Sequence, residues 1–397
     1  MPELPAAEWT RRAGLAQLVA ALRPDHVRYV GGAVRDTLLG LEAKDVDCAT
    51  THQPDTVVAL CRESGIRTVP TGIEHGTITA VLPDGPVEVT TLRRDVATDG
   101  RRATVAFATE WQDDAARRDF TINALYAHPV TLEIGDYFDG LADLAARRVR
   151  FIGQPEQRIA EDHLRILRFF RFQARFGDTP DEEALAACTK LANTLKGLSR
   201  ERVATELLAL LALPDPAPTL EMMHRAGVLP VILPEAARPQ RQTLGQMVMA
   251  ERQARIAPDP VRRLAALLPP HAETAEAVAA RLRLSKQQRT RLICAAERQA
   301  SDRVDPYALA YAHGVDCARD RLLLEGADTT ALDGWEVPRF PLTGRAVIAR
   351  GVAAGPQVAR LLRQAEARWI AAGFPGETSA NDLLDEVVAA WHANASA

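Results

Sequence analysis

The chain has few of the features that mark secreted, zinc-binding or membrane proteins. Its five cysteines lie far apart without C-x-x-C spacing, so the sequence favours a reducing cytoplasm over a disulfide framework or a zinc site. No apolar run approaches the length of a membrane span, and the first residues lack the basic-then-apolar pattern of a signal peptide. We therefore expect a cytoplasmic protein without a membrane partner.

Lysine is also scarce, since only four of the 48 basic residues are lysine and the rest are arginine. The formal net charge is −4, which argues against a general coat for nucleic acid but permits a local basic groove. Any such groove would have to be built from clustered arginines. With 397 residues, 47% of them hydrophobic and 25% charged, the chain is long enough for two to four globular domains.

Strand patterns are confined to the first part of the chain. Short apolar or alternating runs predict strands at residues 27–30, 45–49, 76–82 and 87–92, with a hairpin turn at Pro83-Asp84-Gly85. After about residue 155 no strand pair is evident, and long segments rich in Ala, Leu and Arg have helical periodicity. We expect an α/β head of about 150 residues followed by an all-α remainder.

The most informative stretch combines a glycine turn with two aspartates. Gly31 and Gly32 follow an apolar strand and precede a helical segment that contains Arg35, so backbone N–H groups there can approach a phosphate closely. Asp45 and Asp47 lie two residues apart on the next predicted strand, which points both side chains to one side. Because neighbouring carboxylates repel each other, this arrangement favours a divalent cation between them. The stretch predicts nucleotidyl or phosphoryl transfer.

A second polar group follows at Arg117-Arg118-Asp119, just before a predicted helical segment. Adjacent arginines supply donors that can fork onto triphosphate oxygens. Asp119 can cap the helix, and Asn123, one turn later, can reach a ribose hydroxyl. The alternative interpretation of Arg118 and Asp119 is a structural ion pair.

A third group lies on one predicted helix, residues 158–176, whose polar face includes Asp162, Arg165 and Arg168. One helical turn separates Asp162 from Arg165, so an acceptor and a donor can lie side by side. This pair matches the amine and ring nitrogen of cytosine or adenine and conflicts with uracil and guanine. A surface ion pair of little energetic value is the alternative.

These motifs together resemble those of the class II tRNA nucleotidyltransferase and bacterial poly(A) polymerase superfamily. The matching stretches read G-G-x-V-R-D, D-x-D, R-R-D-F-T-I-N-A-L and E-D-x-L-R-x-L-R-x-x-R-F, with His163 where proline is common. A D-G-R-R sequence matches a flexible loop implicated in the final AMP addition, although Ala103 replaces an expected proline. A further match at residues 198–207 includes Arg202, for which we expect a structural role.

The resemblance implies a DNA-polymerase-β-like head followed by helical domains. We expect a head at residues 1–150, a neck at 151–230 with the base-recognition helix, a body at 231–320 and a tRNA-binding tail at 321–397. The family pattern V-E-V-T-T-x-R implies that Glu88 is a third catalytic carboxylate, whereas the local pattern alone places it toward solvent. Arg93 ends that motif and would contact phosphate or brace a carboxylate.

By this resemblance the chain adds C, C and A to tRNA 3′ ends from CTP and ATP, with Mg²⁺ as cofactor. Asp45 and Asp47 would hold two Mg²⁺ ions, while Asp162 and Arg165 would select the base. The nucleotide would also contact Gly31, Gly32, Arg35, Arg118, Asp119, Asn123 and Arg168. The alternatives are a poly(A) polymerase, an enzyme restricted to the CC or A step, and a non-catalytic RNA-binding protein of the same fold. The sequence does not indicate an oligomeric state.

Overall fold

The computed structural model describes residues 2–43, 45–99 and 102–395. Gly100 and Arg101 of the D-G-R-R sequence, and Lys44, which precedes Asp45, lie outside the described residues. The chain divides into two compact units, Met1–Pro234 and Glu235–Ala397. The expected boundaries at residues 150 and 320 fall inside these units, so the division into head, neck, body and tail stays a prediction.

A mixed β-sheet carries the first part of the first unit. Among the described residues it contains seven strands in the order β3-β4-β5-β2-β1-β8-β9, and two further strands form a separate hairpin. Of the strand pairs that the described residues form in this sheet, the pair of β2 and β5 is the parallel one, and the others are antiparallel. The strands are β1 (Val27–Val30), β2 (Asp47–Thr50), β3 (Arg67–Gly72), β4 (Thr77–Leu82), β5 (Gly85–Thr91), β6 (Arg93–Asp99), β7 (Arg102–Phe107), β8 (Leu125–Ala127) and β9 (Ile134–Asp136).

Helices flank this sheet and then form the rest of the first unit. They are α1 (Ala13–Leu22), α2 (Gly32–Leu38), α3 (Pro54–Glu63), α4 (Trp111–Ala116), α5 (Gly140–Ala145), α6 (Pro155–Glu161), α7 (Arg165–Phe176), α8 (Glu182–Lys190), α9 (Arg200–Leu211), α10 (Ala217–Arg225) and α11 (Val228–Ile232). The predicted change from a mixed to an all-α pattern near residue 150 is confirmed.

Three predicted strands are confirmed: 27–30 is β1, and 76–82 and 87–92 correspond to β4 and β5. The fourth is wrong in one respect that matters, because β2 begins at Asp47 and Asp45 lies before it. Asp47 pairs with Val30, the last residue of β1. The next residue, Gly31, has a φ of +70°, which takes the chain out of the sheet. β1 therefore ends opposite Asp47 and offers no partner to Asp45.

Asp99 and Arg102, the two described residues of the D-G-R-R segment that was expected as a loop, pair with each other at the ends of β6 and β7. The two strands pair in antiparallel register from Arg93 opposite Phe107 to Asp99 opposite Arg102. The sequence contains β-branched residues at Val96, Thr98, Thr104 and Val105, which favour strands. Propensity was therefore the better guide here than periodicity.

The single helix predicted at 158–176 is broken into α6 and α7. Asp162 has an extended backbone, with φ of −152° and ψ of 106°. Its Oδ1 accepts a hydrogen bond from the Leu164 backbone N–H at 3.1 Å, a local turn that competes with helical hydrogen bonding. Asp162 therefore lies at a joint between helices rather than on a helix face.

Phenylalanines attach α7 to the α/β part of the same unit. The rings of Phe120 and Phe151 are 4.9 Å apart, and those of Phe151 and Phe169 are 5.9 Å apart. All three side chains are buried. This apolar contact holds α7 beside the segment that carries Arg118 and Asp119, and so determines which polar groups meet.

All the secondary-structure elements among the described residues of the second unit are helices or 3₁₀ turns. Its helices are α12 (Arg238–Gln253), α13 (Pro260–Ala266), α14 (Ala272–Arg281), α15 (Lys286–Ala296), α16 (Pro306–His313), α17 (Val315–Leu324), α18 (Gly344–Ile348), α19 (Pro356–Ala371) and α20 (Glu377–Ala395). No helix in the described part of the chain is long and apolar enough to cross a membrane. Buried ion pairs link α12 to α13, since Glu251 of α12 accepts hydrogen bonds from both Arg262 and Arg263 of α13 at 2.7 Å.

The expectation of unpaired cysteines is wrong for one pair. Cys294 of α15 and Cys317 of α17 form a disulfide, with 6.2 Å between their Cα atoms. No local pattern predicts this pairing, because 23 residues separate the two cysteines and helix packing brings them together. Cys48, Cys61 and Cys188 are free and buried.

Candidate active site

The first unit contains a cavity of about 670 Å³ between the glycine turn and the N-terminal part of α7. Every predicted site residue except Glu88 lines it: Gly31, Gly32, Arg35, Asp45, Asp47, Arg118, Asp119, Asn123, Asp162, Arg165 and Arg168. Arg171 and Phe172 also line it. Three motifs that are far apart in sequence therefore meet at one site of a size suitable for a nucleotide.

The glycine turn brings backbone and cation close together. Gly31 has φ of +70°, a conformation that favours glycine. A Cβ atom there would also lie 3.3 Å from Nη1 of Arg118. Gly32 begins α2. A side chain at Gly31 would both strain the backbone and press on the arginine.

The acidic part of the site is centred on Asp47. Its register partner across the parallel pair is Glu88, whose side chain faces the same side of the sheet, but Glu88 is exposed and not among the cavity-lining residues. Burial raises the pKa of Asp47, Glu88 raises it further, and Asp45 adds to the effect, while Arg118 opposes it. Crowded carboxylates that resist ionisation are the environment that a bound cation would relieve.

These residues fit a divalent cation that shares ligands with its substrate. Carboxylate oxygens are the ligands that Mg²⁺ prefers, and it commonly takes one or two from protein and the rest from phosphate and water. Among the described residues no cluster of three or more acidic, His or Cys side chains could hold a metal. The two carboxylates of Asp45 and Asp47 therefore need phosphate and water oxygens to complete such a site.

Arg118 is anchored by residues other than its neighbour Asp119. Its Nη2 lies 3.3 Å from Oδ2 of Asp114, and its Nε donates to the Tyr126 hydroxyl at 3.0 Å. The Tyr126 hydroxyl donates in turn to Asp114 at 2.7 Å. The ion pair considered between Arg118 and Asp119 is thus replaced by one with Asp114, one helical turn earlier.

Asp119 and Asn123 form a polar chain with Arg35 and Arg168. Arg35 Nη1 donates to Asn123 Oδ1 at 2.5 Å, and Asn123 Nδ2 donates to Asp119 Oδ1 at 3.0 Å. Arg168 Nε donates to Asp119 Oδ2 at 2.7 Å. Burial raises the pKa of Asp119, but Arg168 and Asn123 lower it more, so the pKa lies below its ordinary value. The predicted helix is absent, because only the 3₁₀ turn Thr121–Asn123 forms.

Asp162 and Arg165 both line the cavity, and each already has protein partners. Asp162 Oδ2 accepts from Arg202 Nη2 at 2.6 Å. Arg165 Nη1 donates to the Arg158 carbonyl oxygen at 2.7 Å and to the Glu161 carboxylate. The predicted acceptor and donor are therefore presented at one cavity, where a base would compete with Arg202 for Asp162.

Sequence reasoning missed several supporting residues. Arg171 donates to Glu206 on α9 at 2.6 Å, and Asp114 is the anchor of Arg118. Arg165, Arg168 and Arg171 recur every three residues, which was a signal that Arg171 would share their side of α7. Nothing in the local sequence pointed to Glu206 or Asp114.

Comparison with known proteins places this chain in a family. The profile described as Poly A polymerase head domain matches residues 27–150, and one described as Probable RNA and SrmB- binding site of polymerase A matches residues 179–238. The mitochondrial CCA tRNA nucleotidyltransferase 1 of Mus musculus is 35% identical over 368 residues, which is 88% of this chain and 83% of the mouse protein. The chain belongs to the CCA tRNA nucleotidyltransferase family.

Other relatives support the same assignment and the fold. The CCA-adding enzyme of Levilactobacillus brevis is 45% identical over 185 residues, 46% of this chain and 45% of that protein. The crystal structure of the Bacillus stearothermophilus CCA-adding enzyme in complex with CTP superposes with a TM-score of 0.72 at 23% identity, covering 96% of this chain and 100% of that one. The predicted fold class, an α/β nucleotidyltransferase head followed by all-α segments, is confirmed.

Proposed function

We propose that this chain adds C, C and A to the 3′ end of tRNA, using CTP and ATP without a nucleic-acid template. The observation that carries the proposal is the meeting of Asp45 and Asp47 with Asp162 and Arg165 in one cavity of about 670 Å³. The names of the relatives supply the substrate class. Acidic groups for transfer and paired polar groups for base recognition would then act on one nucleotide.

In this proposal Asp45 and Asp47 hold Mg²⁺, which when bound activates the attacking hydroxyl and offsets charge on the departing group. Glu88 is the candidate third carboxylate, beside Asp47 in register. The 3′-oxygen of tRNA forms a bond to the α-phosphorus, the bond to pyrophosphate breaks, and the hydroxyl proton is released. The backbone at Gly31 and Gly32 and the guanidinium of Arg118 contact the triphosphate.

The ribose and base contacts are assigned to the remaining residues. Asn123, held by Arg35 and Asp119, lies where it can orient a ribose hydroxyl. Asp162 accepts from the cytosine or adenine amine, and Arg165 donates to the adjacent ring nitrogen. Arg168 stabilises Asp119 from the side of α7.

The wider organisation is also part of the proposal. The head at 1–150 and neck at 151–230 would form the nucleotide site, and the body at 231–320 and tail at 321–397 would bind tRNA through its backbone and shape. The cytoplasm stays the proposed compartment because no apolar run of the sequence approaches a membrane span, although the Cys294–Cys317 disulfide removes the argument from cysteine spacing.

A poly(A) polymerase is the second candidate, because the matching head profile carries that name. The test uses purified protein, Mg²⁺ and a tRNA that ends at its discriminator base, incubated with each nucleoside triphosphate alone and with CTP and ATP together. We expect two additions with CTP, one more when ATP is present, and then a stop. Long runs of AMP without CTP would favour the poly(A) polymerase.

Matched variants distinguish nucleotide addition by this protein from addition by a contaminating enzyme. Asp47→Ala should abolish both additions, whereas Asp55→Ala, an aspartate in the first turn of α3, should not. Unchanged Mg²⁺-dependent incorporation by Asp47→Ala would reject the catalytic assignment and favour a non-catalytic RNA-binding protein.

A further inference from the structure

The guanidinium of Arg35 lies against two neighbouring phenylalanine rings of α7, Phe172 and Phe176, whose centres are 5.6 Å apart. Its Cζ is 4.2 Å from the centre of the Phe176 ring and 5.3 Å from that of Phe172. Arg35 is only 6% exposed. A buried cation is costly unless it is paired, and here Asp36 supplies the charge partner, with Nη2 2.6 Å from its Oδ1. The two rings supply favourable faces for the cation.

Other arginines of α7 extend the same stack. Arg171 lies 4.7 Å from the Phe172 ring centre, and Arg175 lies 4.8 Å from that of Phe176. Arg175 Nη2 is also 3.0 Å from Oδ2 of Asp36. Arg35 comes from α2, next to the glycine turn, whereas the other stacked residues come from α7. The stack therefore joins the turn that begins α2 to the helix that begins at Arg165.

The stack also connects to the polar chain that lines the cavity. Arg35 donates to Asn123, Asn123 donates to Asp119, and Asp119 accepts from Arg168, which returns to α7. Arg168 in turn lies 5.3 Å from the Phe172 ring centre. The resulting circuit starts and ends on α7, so a shift of this helix would change the orientation of the Asn123 amide.

We propose that Arg35 is a positioning residue that Phe172 and Phe176 hold in place, and that it couples the placement of α7 to the ribose side of the site. All three guanidinium nitrogens of Arg35 contact protein partners: Nε and Nη2 contact Asp36, and Nη1 contacts Asn123. Arg35 therefore acts through these residues. The inference rests on the proposed function, in which Arg165 at the start of α7 reads the base. A base that fails to pair with Asp162 and Arg165 leaves α7 displaced, and the stack transmits that displacement to Asn123.

Phe176 is the residue with which to test this, because it contacts Arg35 without lining the cavity. Phe176→Leu removes the aromatic face, Phe176→Tyr keeps it, and Phe176→Met repeats the first change with a flexible side chain. Phe170→Leu is the matched control, since Phe170 is buried on α7 and its ring contact is with Phe169. Thermal unfolding of each variant shows which of them remain folded at the assay temperature.

The readout is kcat and KM for CTP and for UTP on a tRNA that ends at its discriminator base. In Phe176→Leu and Phe176→Met we expect kcat for CTP to fall about thirtyfold, the size of a desolvated cation–π contact, with KM changed less than about twofold. The kcat for UTP should stay unchanged. The ratio of kcat for CTP to kcat for UTP should therefore fall by the same factor as kcat for CTP. Phe176→Tyr should restore wild-type values, and Phe170→Leu should lower only the melting temperature.

Three results would overturn the inference, and the first two can be told apart from the third. Equal effects of Phe176→Leu and Phe170→Leu on kcat, or no rescue by Phe176→Tyr, would show that the stack only stabilises the fold, while the proposed function stands. A wild-type protein that adds no nucleotide to tRNA would reject the proposed function and this inference with it.

Discussion

The carboxylate of Asp162 accepts a hydrogen bond from Arg202 of α9, with 2.6 Å between Oδ2 and Nη2. Asp162 lies at the joint between α6 and α7, whereas Arg202 lies in the first turn of α9, where Ser199 caps the helix. The side chains of Arg202 and Asp162 are 44% and 34% exposed. The contact therefore orients the Asp162 carboxylate, and an incoming base could replace Arg202 there without displacing a deeply buried side chain.

Arg202→Ala should lower KM for CTP and ATP. A partly exposed ion pair contributes at most about 1 kcal/mol, so removal of the competing cation should reduce KM by no more than about fivefold. Steady-state kinetics with saturating tRNA measure this. Arg200→Ala, which removes a neighbouring, partly exposed arginine, is the control. A rise in KM would mean that Arg202 contacts the nucleotide itself.

Asp162→Ala and Arg165→Ala should each relax base selection. Loss of one buried hydrogen-bonding partner costs on the order of 1–3 kcal/mol, so the ratio of kcat/KM for CTP over UTP should fall by about 5- to 150-fold. Competition between CTP and UTP in one reaction measures the ratio. Arg165→Lys should recover little, because lysine lacks the planar fork of donors. An unaltered ratio in both alanine variants would reject the base-recognition assignment.

Asp47→Asn should abolish nucleotidyl transfer and at the same time stabilise the fold. Burial, Glu88 and Asp45 raise the pKa of Asp47, so its ionised form destabilises the metal-free fold at neutral pH. A neutral amide removes that repulsion but cannot replace a metal ligand, and transfer should fall by at least about a thousandfold. Activity and thermal melting without Mg²⁺ test both halves. A lower melting temperature would contradict the proposed crowding of carboxylates.

Asp114→Asn should make the protein less stable in a pH-dependent way. Burial raises the pKa of Asp114, but Arg118, Arg117 and the Tyr126 hydroxyl lower it more, so the pKa lies below its ordinary value of 3.8. A depressed carboxyl pKa stabilises the fold above the unfolded-state pKa, and that contribution is lost as pH falls through the folded-state pKa.

At pH 7 we therefore expect Asp114→Asn to lose on the order of 3 kcal/mol of unfolding free energy, as when a buried ion pair loses one partner. The difference from wild type should narrow below about pH 4. Urea unfolding at several pH values measures it, and Asp113→Asn, an exposed neighbour, is the control. A difference that stays constant with pH would show that packing rather than charge holds Asp114.

Reduction of the Cys294–Cys317 disulfide should destabilise the second unit. A bond that closes a loop of about 23 residues contributes about 3 kcal/mol in the chain-entropy description. Denaturant unfolding with and without a reducing agent tests this, and Cys294→Ser should match the reduced wild type. Cys61→Ser, a free buried cysteine, should respond to the reducing agent as wild type does. No effect of reduction on wild type would contradict the prediction.

Local chemistry made much of this molecule predictable. The Gly31 turn, β1 and the position of Asp47 follow from residues within one short stretch, and so they were found. Asp45 was misplaced because the end of β1, and not the alternation of side chains, decides where β2 begins. Strands of three residues, β8 and β9, are too short for any pattern to identify.

Partners distant in sequence could not be predicted. Arg202 and Asp162 are 40 residues apart, Glu206 and Arg171 are 35 apart, and Cys294 and Cys317 are 23 apart. The break between α6 and α7 could not be predicted for a different reason. Apolar residues continue at helical spacing across it, so periodicity cannot detect a single aspartate whose side chain binds the backbone two residues later.

That interruption has a mechanical consequence. An unbroken rod could reorient its reading edge only by bending against its own ladder of backbone hydrogen bonds. Here the extended residue Asp162 separates two rods, and Arg165 of α7 donates back to Arg158 and Glu161 of α6, so side-chain contacts rather than one continuous backbone ladder brace the joint. The carboxylate proposed to recognise the base thus lies where the two rods meet, and the angle between them determines which way it faces.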